Sequence, residues 1–217
     1  MKKVLTLDAV QKEASIFARK ESLHDEKSIF GSTDGKAVGT YLEHKFQKYL
    51  EDIYSYDVGN SASGIDFPSL EIDMKVTSIK QPQSSCPFRS ARQKIYGLGY
   101  HLLVFVYDKV DNNANKTTRL NILHTVFVDK KRTADFQLTT QINSILNNHG
   151  NKDDLVALFN DKNLPVDEIE ASNLASEILR NRPEIGYLTI SNALQWRLQY
   201  GRIIEKAGEV NGINRLV

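Results

Sequence analysis

Gly64-Ile65-Asp66-Phe67-Pro68-Ser69-Leu70-Glu71-Ile72-Asp73-Met74-Lys75-Val76-Thr77-Ser78 is the stretch around which the chain is organised. Read as a strand of period two, it sends Ile72, Met74 and Val76 to one face and Glu71, Asp73 and Lys75 to the other. A half-buried strand with a solvated charged edge has the same pattern. Asp66 shifts the balance, because it stands just upstream, two residues after a Gly and two before a Pro. A turn and a strand that bring two carboxylates together offer hard oxygen donors to a divalent cation. A lysine two residues past the second carboxylate falls on the same face. There its ammonium is positioned to orient a water or to offset the charge of a phosphate. Glu71 rivals Asp73 as the second acid, since the alternation puts both on one face.

Composition sets the outer limits. The chain has 217 residues, enough for one domain or one domain with an appendage. Hydrophobic residues make up 41% and charged residues 25%, which is the balance of a folded globular protein. Cys86 is the one cysteine, so no internal disulfide forms; this suits a reducing cytoplasm. Without a Cys/His arrangement around it, Cys86 reads as a packed thiol rather than a nucleophile. The apolar run at the start is too short for a signal peptide, and no stretch is long enough to span a membrane. A formal net charge of +1 advertises no polyanion partner, so a basic surface has to be local. The five histidines are scattered, and no zinc set is visible.

Along the chain, residues 7–20 read as an amphipathic helix, and residues 36–53 as a second one after the breaker 31–35. Residues 54–58 and 65–67 read as short strands, with a turn at 60–64 between them; 70–77 is the acidic strand. A loop holding Pro82 and Pro87 precedes a helix over 90–98. The apolar run 101–106 fits a buried central strand, and a hairpin-like loop at 111–116 leads to a strand over 120–128. The remainder reads as helical: 135–147, 153–159, a helix opening near Leu164 and ending before Pro183, and a long one from Thr189 or Ser191 to about Lys206. The last pair reads as a helical hairpin for packing or dimerisation, with a helix-turn-helix as the alternative.

Asp66, Asp73 and Lys75 together resemble the active-site motif of the PD-(D/E)xK nucleases, and the chain resembles a type II restriction endonuclease. Ile65 stands where that motif usually has Pro, with Pro68 shortly after. The order helix, three strands, helix, strand, strand also matches the core of those enzymes, over about 36–128. The resemblance implies an α/β (α+β) fold with a restriction-endonuclease-like core, a mixed central sheet flanked by helices, and a helical C-terminal part. The expected division is an N-terminal helical arm over 1–35, the catalytic core over 36–130, and a helical region over 131–217 for packing, dimerisation or DNA binding. It further implies that Asp66 and Asp73 hold Mg2+, that Lys75 acts on water and phosphate, and that Glu43, on the first core helix, reaches the metal site. Glu43 or Glu71 would ligate a second ion or take a proton through water.

The segment after the acidic strand is locally basic, with Lys80, Arg89, Arg92 and Lys94 and no acid between Asp73 and Asp108. It also carries Gln81, Gln83, Ser84 and Gln93. Arginine pairs with guanine edges and glutamine with adenine edges, while lysine and serine position phosphates. These residues are expected to contact double-stranded DNA. One acid–acid–lysine set per chain implies one strand cut per subunit, so a homodimer is expected, with Trp196, Leu198, Tyr200 and Ile203 or the first helix as its surface. The resemblance adds a companion DNA methyltransferase. Another PD-(D/E)xK repair or junction nuclease, and a non-catalytic DNA-binding protein using the C-terminal helices, are the alternatives.

Overall fold

A computed structural model describes residues 2–57, 64–86, 90–191 and 197–217. In chain order the elements are β1 (Lys3–Val4), α1 (Leu7–Glu21), β2 (Asp25–Glu26), α2 (Gly35–Ile53), β3 (Tyr54–Ser55), β4 (Ile72–Ser78), β5 (Gln83–Ser85), α3 (Arg92–Tyr96), β6 (His101–Asn112), β7 (Thr117–Val128), α4 (Phe136–Asn147), α5 (Lys152–Asp161), α6 (Glu168–Arg180), β8 (Thr189–Ile190), β9 (Arg197–Gln199), α7 (Gly201–Lys206) and β10 (Ile213–Arg215). The architecture is mixed α/β, as the resemblance implies.

The central sheet has the order β10-β7-β6-β4, with β2 also pairing with β7. β4 runs parallel to β6 from Ile72 opposite His101 to Ser78 opposite Tyr107; β6 and β7 form a long antiparallel hairpin. β6 opens as an unbroken buried run from His101 to Tyr107, as a strand covered on both faces should. Its odd and even residues feed different cores. Leu103, Phe105 and Tyr107 join Ile72 and Met74 of β4 against α1 and α2, where Phe17, Leu42, Phe46 and Leu50 pack. Leu102, Val104 and Val106 point to the opposite side, against Leu188, Ile190, Leu198, Tyr200 and Ile203. A third cluster of α3 to α6 is built on Ile95, Leu138, Ile142, Phe159 and Leu174.

The two N-terminal helices fall where the 3.6-residue stripe puts them. Thr6 caps α1 through Ala9 N, and Asp34 caps α2 through Lys36 N. α1 is packed into the sheet's main core, with Val10, Ala14 and Ala18 fully buried.

The C-terminal part departs from the sequence expectation. The long helix expected from 189 or 191 to 206 is absent among the described residues: β8 and β9 stand there, followed only by the six-residue α7. Arg197 and Gln199 are exposed while Leu198 and Tyr200 are buried. That alternation has period two, and the neighbouring apolar residues gave it the look of a helical stripe. The dimer surface assigned to Leu198, Tyr200 and Ile203 is overturned for the same reason. All three are wholly buried against the central sheet. Trp196 and Arg89 lie outside the described residues, as does most of the 60–64 turn. β10 returns to the sheet beside β7, so the region after 131 is not purely helical.

Asp135 ties this region to the core. Its Oδ1 accepts from Leu138 N at 2.8 Å, capping α4, and its Oδ2 accepts from Ile190 N at 2.8 Å. Asp135→Ala removes the cap and leaves a buried N–H without its acceptor, so it is expected to lower stability by roughly 2–4 kcal/mol. Urea unfolding of the variant checks this; a midpoint equal to wild type would refute it.

Candidate active site

Asp73 and Lys75 leave β4 on the same face, as alternation requires, and form an ion pair of 2.8 Å between Lys75 Nζ and Asp73 Oδ2. Asp66 comes to them through a tight local turn. Phe67 bridges antiparallel to Ile72, and Pro68–Leu70 close a single 3-10 turn between them. Asp66 Oδ2 then accepts from Met74 N at 2.7 Å, fixing the first carboxyl to the strand that carries the second. The two carboxyls lie within hydrogen-bonding reach of each other.

Burial pushes the Asp73 carboxyl up to about 7; the Lys75 ammonium pulls against this and Asp66 adds to it. Burial also works to lower Lys75, but Asp73 and Asp66 override it and hold the ammonium above its ordinary value. Lys75 is therefore a cation here and not a base. Glu43 on α2 is raised as well, by burial first and then by Asp66, with Lys75 opposing. The helix glutamate thus sits in the same electrostatic neighbourhood as the strand residues.

Gln47 was missed by the sequence reading. It stands one turn after Glu43 on the same face of α2, and its Nε2 donates to Asp66 Oδ1 at 3.3 Å. The i, i+4 spacing was the available signal. Glu71 does not join the acids. It takes a left-handed conformation, φ 53°, which breaks the alternation just before β4 begins. Its side chain pairs with Lys130 at 2.5 Å instead.

The basic segment divides. Lys80 and Gln81 are exposed after β4, and Gln83 begins β5. Ser84 turns inward, with its Oγ 2.5 Å from the Tyr200 hydroxyl. On α3, Arg92 binds Glu177 of α6 through Nη2 at 2.7 Å and lies over the Tyr96 ring. Gln93 donates to Leu98 O at 3.1 Å. Lys94 is buried, which lowers its pKa against the pull of Asp135. α3 is thus occupied in packing rather than offered as a whole to an outside partner. Cys86 is buried beside Tyr100, and burial pushes its thiol up, away from nucleophilic use.

The sequence matches the family model for the type II restriction enzyme NspV over residues 4–215. The chain belongs to this family. It is also 66% identical over 210 residues to the type II restriction enzyme NspV of Nostoc sp., covering 97% of this chain and 96% of that protein. No solved structure matches it. As a member of the NspV family the protein is a type II restriction endonuclease, a site-specific deoxyribonuclease. Among the described residues no helix is long and apolar enough to cross a membrane.

The Asp73–Lys75 pair gives a pH-dependent expectation. Lys75→Met leaves a desolvated carboxyl without its partner, at a cost of roughly 3 kcal/mol when that carboxyl is ionised. With Lys75 gone, the folded pKa of Asp73 lies still further above its unfolded value of about 3.9. A carboxyl raised in the folded state binds its proton more tightly there, so stability falls as pH rises. The variant should lose more stability at pH 8 than at pH 5. Denaturant melts at both values check this, and an equal loss at both would refute it.

Proposed function

We propose that this restriction endonuclease hydrolyses DNA phosphodiesters with Mg2+ held by Asp66 and Asp73. The observation that supports this most is the meeting of two carboxyls and a lysine in one desolvated place on β4. The donor set fits the ion: carboxylate oxygens are the ligands a hard cation takes, and a buried carboxyl beside a second, half-buried one calls for positive charge. When bound, the ion would polarise the scissile phosphate and lower the pKa of the attacking water. Met74 N and Gln47 orient Asp66. Lys75, fully protonated, orients the water and offsets charge gathering on the phosphate oxygens. Glu43, with its raised pKa, takes a proton through water or completes the coordination of a second ion. Glu71 is left without a catalytic part in this scheme.

Lys80, Gln81 and Gln83 are the proposed first contacts with the duplex. The enzyme would act in the cytoplasm beside a methyltransferase that protects its own sites. Asp73→Asn is expected to abolish cleavage and to keep sequence-specific binding, because it removes a ligand of the ion and a charge that repels phosphate. Plasmid digestion and gel-shift assays read the two separately; cutting at the wild-type rate would remove Asp73 from the scheme.

With one acid–acid–lysine set per chain, both strands of a palindrome are most simply cut by two subunits about a shared two-fold axis. Sedimentation with a short cognate duplex should give two chains per duplex. A single chain per duplex that still cuts both strands would exclude the dimer.

A further inference from the structure

β5, β9 and β8 form a three-stranded antiparallel sheet of their own, in the order β5-β9-β8. Gln83 stands opposite Gln199, Ser84 opposite Leu198, and Ser85 opposite Arg197; Thr189 flanks Gln199 from the other side. Directly opposed residues share a face. The inner face, Ser84, Leu198 and Ile190, goes into the core under the central sheet. The outer face is Thr189, Gln199, Gln83, Arg197 and Ser85, five polar residues without a carboxylate. Gln199, Arg197 and Ser85 on it are exposed. Thr77 and Ser191 bond the backbones of Gln83 and Arg197, while among the described residues the side chains of Gln83, Gln199 and Arg197 are held by no hydrogen bond or ion pair.

This face adjoins the acidic strand. Thr77 follows Lys75 by two residues on β4, and its Oγ1 accepts from Gln83 N at 3.0 Å. Two strand residues span about 7 Å, so the small sheet begins about 10 Å from Lys75, close to three base-pair steps. A ribbon of this width enters a major groove, where glutamine matches the adenine edge and arginine the guanine edge.

We propose that the outer face of the β5–β9 ribbon reads base edges beside the scissile phosphate, with Gln83 and Gln199 on adenine and Arg197 on guanine. The inference rests on the reading of the chain as a restriction endonuclease, and adds Gln199 and Arg197 as its specificity determinants. It implies a recognition sequence containing both A·T and G·C pairs.

The test is selection of bound duplexes from a randomised pool, with Ca2+ in place of Mg2+, for wild type, Gln199→Ala and Arg197→Ala. Wild type is expected to enrich one motif. Gln199→Ala should relax preference about 10- to 100-fold at an A·T pair, and Arg197→Ala by a similar factor at a G·C pair, with other positions unchanged. Both side chains are exposed, so equal thermal melting of the variants serves as the folding control. The proposal is overturned if both variants keep the wild-type motif at full stringency, if affinity falls evenly across all sequences, or if wild type enriches no motif. Asp73→Asn, selected in Ca2+ and separately digested with plasmid in Mg2+, separates the two readings: a variant that keeps the motif in the first and still cuts in the second defeats the active-site assignment while leaving the ribbon intact.

Discussion

The parallel pairing of β4 with β6 is the constraint on which the rest depends. It fixes β4 in register over its whole length, from Ile72 to Ser78. A one-residue slip would send Ile72 and Met74 out of the helical core and drive Asp73 and Lys75 into it. Apolar burial against α1 and α2 therefore holds the charged residues on the other face. The cost is visible in the same strand: Asp73 is desolvated and held well above the ordinary carboxylate range. Folding energy from one face of a strand keeps an electrostatically unfavourable arrangement in place on the other.

That arrangement is charge-imbalanced by design of its chemistry. Asp66, Asp73 and Glu43 are three carboxyls against the single ammonium of Lys75. On the proposed reading such a site would favour a bound cation; the raised pKa values of Asp73 and Glu43 reflect burial first and the neighbouring Asp66 charge after it. A phosphodiester approaching it meets Lys75 first as compensation. Catalysis and metal affinity thus draw on the same local strain.

Asp73, Lys75 and the core helices were legible in the sequence because their signals are local. Alternation needs only neighbouring residues, and a helix stripe only a few turns. Asp66 was legible because the 3-10 turn that returns it to β4 is itself short. Glu71 misled because one left-handed residue ends the alternation, and a charge pattern does not reveal that. Lys94 looked like a free surface cation because its burial beside Asp135 depends on residues some forty positions away, and Arg92, though exposed, is paired with Glu177, eighty-five positions away. The strands at 189 and 197 hid for a related reason. Short strands hold too few residues for two periods to separate, and β5, the partner of β9, lies more than a hundred residues earlier.

The long-range pairing of β5 with β9 builds the face that is proposed to read the bases. β5 follows β4 after a short turn, so anything that moves the ribbon moves Gln83, and Gln83 is bonded to Thr77 on β4. Tyr200, next after β9, carries the link inward: it is wholly buried, bonds Ser84, and lies within electrostatic range of Asp73. A base contact at Gln199 or Arg197, as proposed, would be connected to the acidic strand through the bond from Gln83 N to Thr77 Oγ1. If the ribbon reads bases as proposed, its docking would bear on the positions of Asp73 and Lys75 through that connection. Discrimination would then act on the chemical step as well as on binding, since a misplacement of about 1 Å at the reacting groups can cost as much as a hundredfold in rate.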